Sequence, residues 1–272
     1  MINAIRAEFA KLLTVRLWWV LLLVMFGYIG FVSGLLAGLF GALGDQLSAQ
    51  QGSPQIADAQ LPPLVYSTAT SIGYVFPLIL GALATTAEFR YQTLTPTFLA
   101  TPRRGAVLVA KLGVLFVAGA MYGVVALVGS IGIGAPLLGL TGHDAALGDS
   151  ATWSLAARVV LAMALWAVIG AGVGSLITNQ VAAIVVVIAF AQFVEPLLRL
   201  GTSIWDWTAQ VGKFLPGAAS DALVGASVFT MLGTGTSQVQ VLEWWQGGLV
   251  LAGIAAIVAA LGYLTSWRHD VT

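Results

Sequence analysis

Glu195 and Arg199 stand four residues apart within an otherwise apolar run, Val181–Leu200. On a helix that spacing sets the carboxylate and the guanidinium side by side on one face. A carboxylate buried in a membrane costs about 2.5–3.5 kcal/mol on insertion scales, so it needs a partner, and Arg199 can supply one. We read the pair as structural, with proton or substrate handling as the alternative. A second charged and aromatic group runs from Glu88-Phe89-Arg90-Tyr91 to Arg103-Arg104 between two apolar runs. Its residue types suit docking rather than bond breaking. Motifs for catalysis are missing from the sequence: it has no phosphate-binding Gly-x4-Gly-Lys-Ser/Thr, no His-Glu-x-x-His and no Gly-x-Ser-x-Gly. The two histidines, His143 and His269, are far apart, and there is no cysteine. Gly172-Val173-Gly174-Ser175 lies in an apolar run and reads as close helix packing. The chain is therefore expected not to be an enzyme and to bind no metal or cofactor itself.

The elements that position these groups must be membrane helices. Hydrophobic residues make up 59% of the chain, charged residues 8%, and the mean hydropathy is +0.95. A soluble domain carries about 25% charged residues. The formal net charge is +0, so no basic field points to nucleic acid. Arg6, Lys11 and Arg16 precede an apolar run, Leu17–Leu43, that outlasts the roughly 7–15 apolar residues of a signal peptide. It is kept as a span. With about 20 apolar residues needed per crossing, the spans fall near Leu17–Leu43, Leu64–Ala87, Gly113–Leu138, Leu155–Thr178, Val181–Leu200 and Trp245–Trp267. The expected fold is thus an all-α integral membrane protein of about six helices, forming one domain over 1–272.

Cytoplasmic termini place Arg6, Lys11, Arg16, Arg90, Arg103, Arg104, Lys111 and Arg268 inside, leaving Arg158, Arg199 and Lys213 outside. Tryptophan agrees. Trp18, Trp19 and Trp267 fall at inner boundaries, and Trp153, Trp205, Trp207, Trp244 and Trp245 at outer ones, where indoles prefer the headgroups. Only Trp166 lies deep in a span. Residues 1–16 put Ile2, Ile5, Phe9, Leu12 and Leu13 on one face, as in an amphipathic helix on the inner leaflet. Residues 201–243, with Pro216 and scattered polar groups, read as short external or re-entrant helices. Gly30, Gly34 and Gly38 recur every four residues, a face for packing within one chain or against a second copy.

In Glu88–Arg104, Phe89, Tyr91, Leu94, Phe98 and Leu99 would give a short helix an apolar side, which Pro102 stops. Glu88-x-Arg90-x-x-Thr93-Leu94, followed by Thr101-Pro102-Arg103-Arg104 and Lys111, resembles the loop after the second helix in permeases of type-2 ABC exporters. Gly170-Ala171-Gly172-Val173-Gly174-Ser175-Leu176-Ile177-Thr178-Asn179-Gln180 is similar to the tight inside turn between their fourth and fifth helices. Phe193-Val194-Glu195-Pro196-Leu197-Leu198 resembles the bacterial subgroup. The resemblance implies that 88–104 holds a coupling helix, with Glu88, Phe89, Arg90, Leu94, Thr101 and Arg103 meeting an ATPase. It also implies a connecting helix over 1–16, two separate cytoplasmic ATPase subunits carrying the ATP and magnesium, and a second permease chain, identical or related. The location would be a bacterial cytoplasmic membrane, and the cargo a hydrophobic or amphipathic drug, peptide, lipid or glycolipid. A secondary carrier and a non-transporting anchor or assembly factor are the rival readings.

Overall fold

The computed structural model describes residues 2–48, 57–100, 103–201, 206–228 and 242–267. Among these, all regular structure is helical. Six helical segments are long and apolar enough to cross a membrane: Leu17–Gly44, Asp58–Arg90, Arg104–Leu140, Ser150–Leu176, Gln180–Arg199 and Trp244–Trp267. Each lies close to a run expected from composition.

Helix α1 (Ile2–Thr14) precedes the first span, α2 (Leu17–Ser48). The second span is broken. After a 3-10 turn, α3 (Leu61–Ser71) starts with prolines in its first turn, where their missing N–H groups cost nothing. It gives way near Gly73 to α4 (Val75–Arg90). A side chain at Gly73 would strike the Ala69 carbonyl and Ile29, so the close approach needs glycine. The short α5 (Leu94–Ala100) leads into α6 (Arg104–Leu140). At 1.5 Å per residue α6 is about 55 Å long, far more than a hydrocarbon core of about 30 Å. It begins nine residues before the expected Gly113, because Lys111, which marks a boundary by composition, is neutralised by carboxylates from two other helices.

The fourth span is α7 (Ser150–Leu176), and a tight turn leads to α8 (Gln180–Ala189), where the Asn179 side chain accepts hydrogen bonds from the Val181 and Ala182 amides. That is an N-cap. A widened π turn (Phe190–Val194) connects α8 to α9 (Glu195–Gly201), with Glu195 N–H donating to the Phe190 carbonyl. Pro196 lacks the N–H an α-helix would use, and the wide turn absorbs the change of register. Next come α10 (Asp206–Gly212) and α11 (Pro216–Val224), the latter ended by Gly225 at φ +83°. The sixth span, α12 (Trp244–Gly262), opens on a Glu243/Gln246 capping box and ends in a π turn, Tyr263–Trp267.

The core forms where α7 meets α4, α6 and α12. Side chains at Gly81, Gly170 and Gly174 would collide with backbone of the facing helix, and one at Gly172 with α12. The glycine-rich run of α7 is therefore packing surface, as expected. Trp166 is buried, lies 4.4 Å from the Tyr74 ring and donates to Ser220 Oγ at 3.0 Å. Gly30 and Gly34 face Ile133 of α6 within the same chain, and a side chain added at Gly38 would meet open space. Within the 201–243 segment, α11 buries seven of its nine residues against the bundle. Trp205 lies outside the described residues. The first, fifth and sixth spans are the peripheral ones, with 33%, 22% and 28% of their apolar windows buried, against 56–67% for the rest.

Candidate functional site

The chain crosses at each span, so α1, α5, the 177–179 turn and Trp267 share one end of the bundle, called here the N-terminal face. On it α4 ends in Glu88-Phe89-Arg90, and Gln92, at φ +53°, turns the chain into α5. Leu94 is fully buried against Val107, Leu108 and Trp267, with Phe89 and Phe98 packed around them. The Phe98 and Trp267 rings meet edge-on at 5.7 Å. Arg104 lies over the Phe98 ring at 5.0 Å and donates to the Trp267 carbonyl at 3.2 Å. α5 is thus fastened to the start of the third span and the end of the sixth. Its outer side shows Thr95, Pro96 and Leu99, the last 81% exposed, with Tyr91 beside it at 68%.

The six residues expected to meet a partner separate. Arg90 is exposed and donates to Gln180 Oε1 at 2.9 Å, bracing the second span against the fifth. Arg103 is exposed just before α6, Phe89 is half-buried, and Thr101 lies outside the described residues. Leu94 and Glu88 point inward, contrary to the outward role expected of them. Leu94 plugs the small core under α5. Glu88 belongs to a buried charge cluster.

That cluster joins three helices. Lys11 Nζ of α1 donates to Glu8 Oε1 at 2.6 Å and to Glu88 Oε1 at 2.7 Å. Lys111 Nζ of α6 donates to Glu8 Oε2 at 2.5 Å and lies 3.3 Å from Glu88 Oε1. Glu8, Glu88 and Lys111 are buried, and Lys11 is 37% exposed at its side chain. Burial alone would raise the Glu8 carboxyl, but the Lys111 and Lys11 ammonium groups outweigh it and hold the pKa below its ordinary value. Lys11 mirrors this: burial works against its charge, but Glu88 and Glu8 prevail and its pKa is raised. Glu8 is the one buried residue of α1, whereas Ile2, Ile5 and Leu13 are exposed. The helix turns Glu8 and Lys11 to the protein with Leu12 packed beside them, and leaves Ile2, Ile5 and Leu13 outward.

A second charged centre lies at the opposite end. Arg199 Nη2 donates to Glu195 Oε1 at 3.0 Å, the pairing expected from spacing, and Nη1 donates to Asp221 Oδ2 of α11 at 2.6 Å. Sequence reasoning missed Asp221, whose only local signal is an acid in a short run after Pro216. Burial raises its carboxyl although Arg199 pulls the other way. Gly217 lies against the pair, and a side chain there would overlap the Glu195 carboxylate and the Arg199 guanidinium. Thr70 Oγ1 and Glu195 Oε2, both buried without a hydrogen-bond partner, belong to residues lining a cavity of about 20 Å³. That volume matches one water.

Among the described residues no group of three or more His, Cys, Asp or Glu could hold a metal ion. Fold and composition together define a multi-pass helical membrane protein. No known protein family matches the sequence, and no characterised protein matches it either.

Proposed function

We propose that this chain is the permease subunit of an ATP-driven exporter, one of two permeases served by two separate cytoplasmic ATPase subunits. In this reading both termini lie in the cytoplasm of a bacterium and the N-terminal face is the inner one, as the basic residues and tryptophans indicate. The observation that carries the reading is α5. It is a short helix fastened on its inner side by Leu94 and Phe98, with Leu99, Thr95 and Pro96 presented outward between the second and third spans. A pushed lever needs that combination of a firm seat and an exposed tip. The sequence resemblance reaches the same segment independently.

Motion of a docked ATPase would pass through the Leu94–Val107–Trp267 core to the third and sixth spans. The Glu88–Lys11 and Arg90–Gln180 contacts would carry it to α1 and the fifth span. Such links move helices as bodies, as alternation between inward-open and outward-open states requires. The weakly buried first and fifth spans offer the surface for a second permease, and a hydrophobic or amphipathic cargo would pass between the two. The cofactors, ATP and magnesium, belong to the ATPase.

The test is co-purification from native membranes in mild detergent, with efflux assayed alongside. An ATPase subunit is expected to accompany the wild-type chain. Leu99→Asp should reduce its retention about tenfold or more at unchanged membrane expression, and stop efflux, because a desolvated anchor contributes about 2 kcal/mol. Efflux that persists without any ATPase would replace this reading with a secondary carrier.

A further inference from the structure

Beside the charge cluster lies a cavity of about 420 Å³. Volumes of about 300–1,000 Å³ are usual for small-molecule sites. Its walls are mostly apolar, with Leu12, Trp18, Leu80, Leu83, Val114 and Leu115 among them. Glu8, Lys11, Glu88 and Lys111 gather at one place on the lining. Three of the cluster's four carboxylate oxygens accept from ammonium groups, and the fourth, Glu88 Oε2, is buried without a hydrogen-bond partner. An acceptor so placed favours a donor, and one arriving from the cavity reaches it once the Glu88 carboxylate, shielded in this arrangement, turns toward the lining.

We propose that this cavity binds one amphiphile whose polar head donates an N–H or O–H hydrogen bond to Glu88 Oε2 while its apolar body lies along Leu80, Leu83, Val114 and Leu115. The cluster's balanced charge favours a donor head without excess charge, such as a zwitterionic primary ammonium or a hydroxyl. Leu17 and Trp18 on the lining place the cavity at the start of the first span, at headgroup depth, so a bilayer lipid and a soluble long-chain alcohol can both supply this chemistry. Leu99 is not part of the lining, so the site and the ATPase docking surface fail or stand separately.

The experiment titrates the purified full chain in detergent with phosphatidylethanolamine, whose head carries N–H donors, and with phosphatidylcholine, whose quaternary ammonium carries none. Bound lipid is counted by native mass spectrometry. One phosphatidylethanolamine per chain should be retained about tenfold over phosphatidylcholine, the worth of one hydrogen bond to a charged group. Ala84→Trp fills the cavity without touching a charge and should abolish the preference. Ala87→Phe does the same from the next turn if the first variant unfolds. Dodecanol, with a neutral hydroxyl donor, separates the sources: its binding, lost in the filled variants, with no phosphatidylethanolamine retained supports the site with a soluble ligand. Equal retention of both lipids, binding of none of the three probes, or a preference that survives the filled variants overturns the proposal.

Discussion

The two buried charge centres differ in their balance. At the N-terminal face two carboxylates meet two ammonium groups, and the cluster ties α1 to the second and third spans. At the opposite face two carboxylates share Arg199, joining α9 to α11, with one acid in excess among the described residues. Buried ion pairs contribute little net stability, but stripping one partner is expensive because the other charge stays buried. The balanced cluster holds down a helix that leaves Ile2, Ile5 and Leu13 exposed. The unbalanced triad closes the end of the fifth span and hangs on a single cation.

The comparison predicts that Arg199→Gln is the more damaging change. It leaves Glu195 and Asp221 without the cation they share and should cost about 5 kcal/mol, the upper end for breaking a buried pair. Glu195→Gln should cost much less, because Arg199 keeps Asp221. For the same reason the double variant Glu195→Gln/Arg199→Gln should not recover fully. Thermal unfolding in detergent ranks the three, and full recovery by the double variant would show that Asp221 is not part of the centre.

Lys111→Met should cost about 3 kcal/mol, since Lys11 still serves both carboxylates. Lys11→Met, removing a side chain that is 37% exposed, should cost about 1 kcal/mol. Proteolysis of α1 alongside thermal unfolding checks both. Equal losses would mean that the cluster is wet and its burial irrelevant.

These partners explain what the sequence could and could not reveal. Long apolar runs mark the six spans directly, because lipid demands them whatever the packing. Glu195 and Arg199 are legible because a helix turn separates them. Glu8 and Lys111 are 103 residues apart and Lys11 and Glu88 are 77 apart, so no local spacing announces the cluster. Glu8, taken alone, is a charge on an amphipathic helix and belongs in water. Glu88 reads as a docking residue for the same reason, since a charge at a span end ordinarily faces out. The need for glycine at position 73 is hidden, because part of what crowds that position, Ile29, comes from another helix.

Acid should separate the two ends by sign. The Glu8 carboxyl is held below its ordinary 4.5, so its stabilisation is complete above that value and is lost as pH falls through the lower folded value. Asp221, which lies outside the six spans, is raised above its ordinary 3.8, so the folded state takes up the proton first and α11 gains stability as pH falls. Lys11, raised above 10.5, adds that α1 loosens again only in strong base. Hydrogen exchange, corrected for intrinsic rates, should show α1 amides losing protection on acidification while α11 amides gain it. The same sign at both ends would contradict the assignment.

The division of labour around α5, with Glu88 and Leu94 directed inward and Leu99 outward, can be tested directly because the chain has no cysteine. Single cysteines at Leu99 and at Leu94, each treated with a short bifunctional crosslinker in native membranes, report what each position touches. The account predicts that Leu99→Cys joins the chain to an ATPase subunit and that Leu94→Cys does not. Crosslinking at neither position, or equally at both, would contradict it.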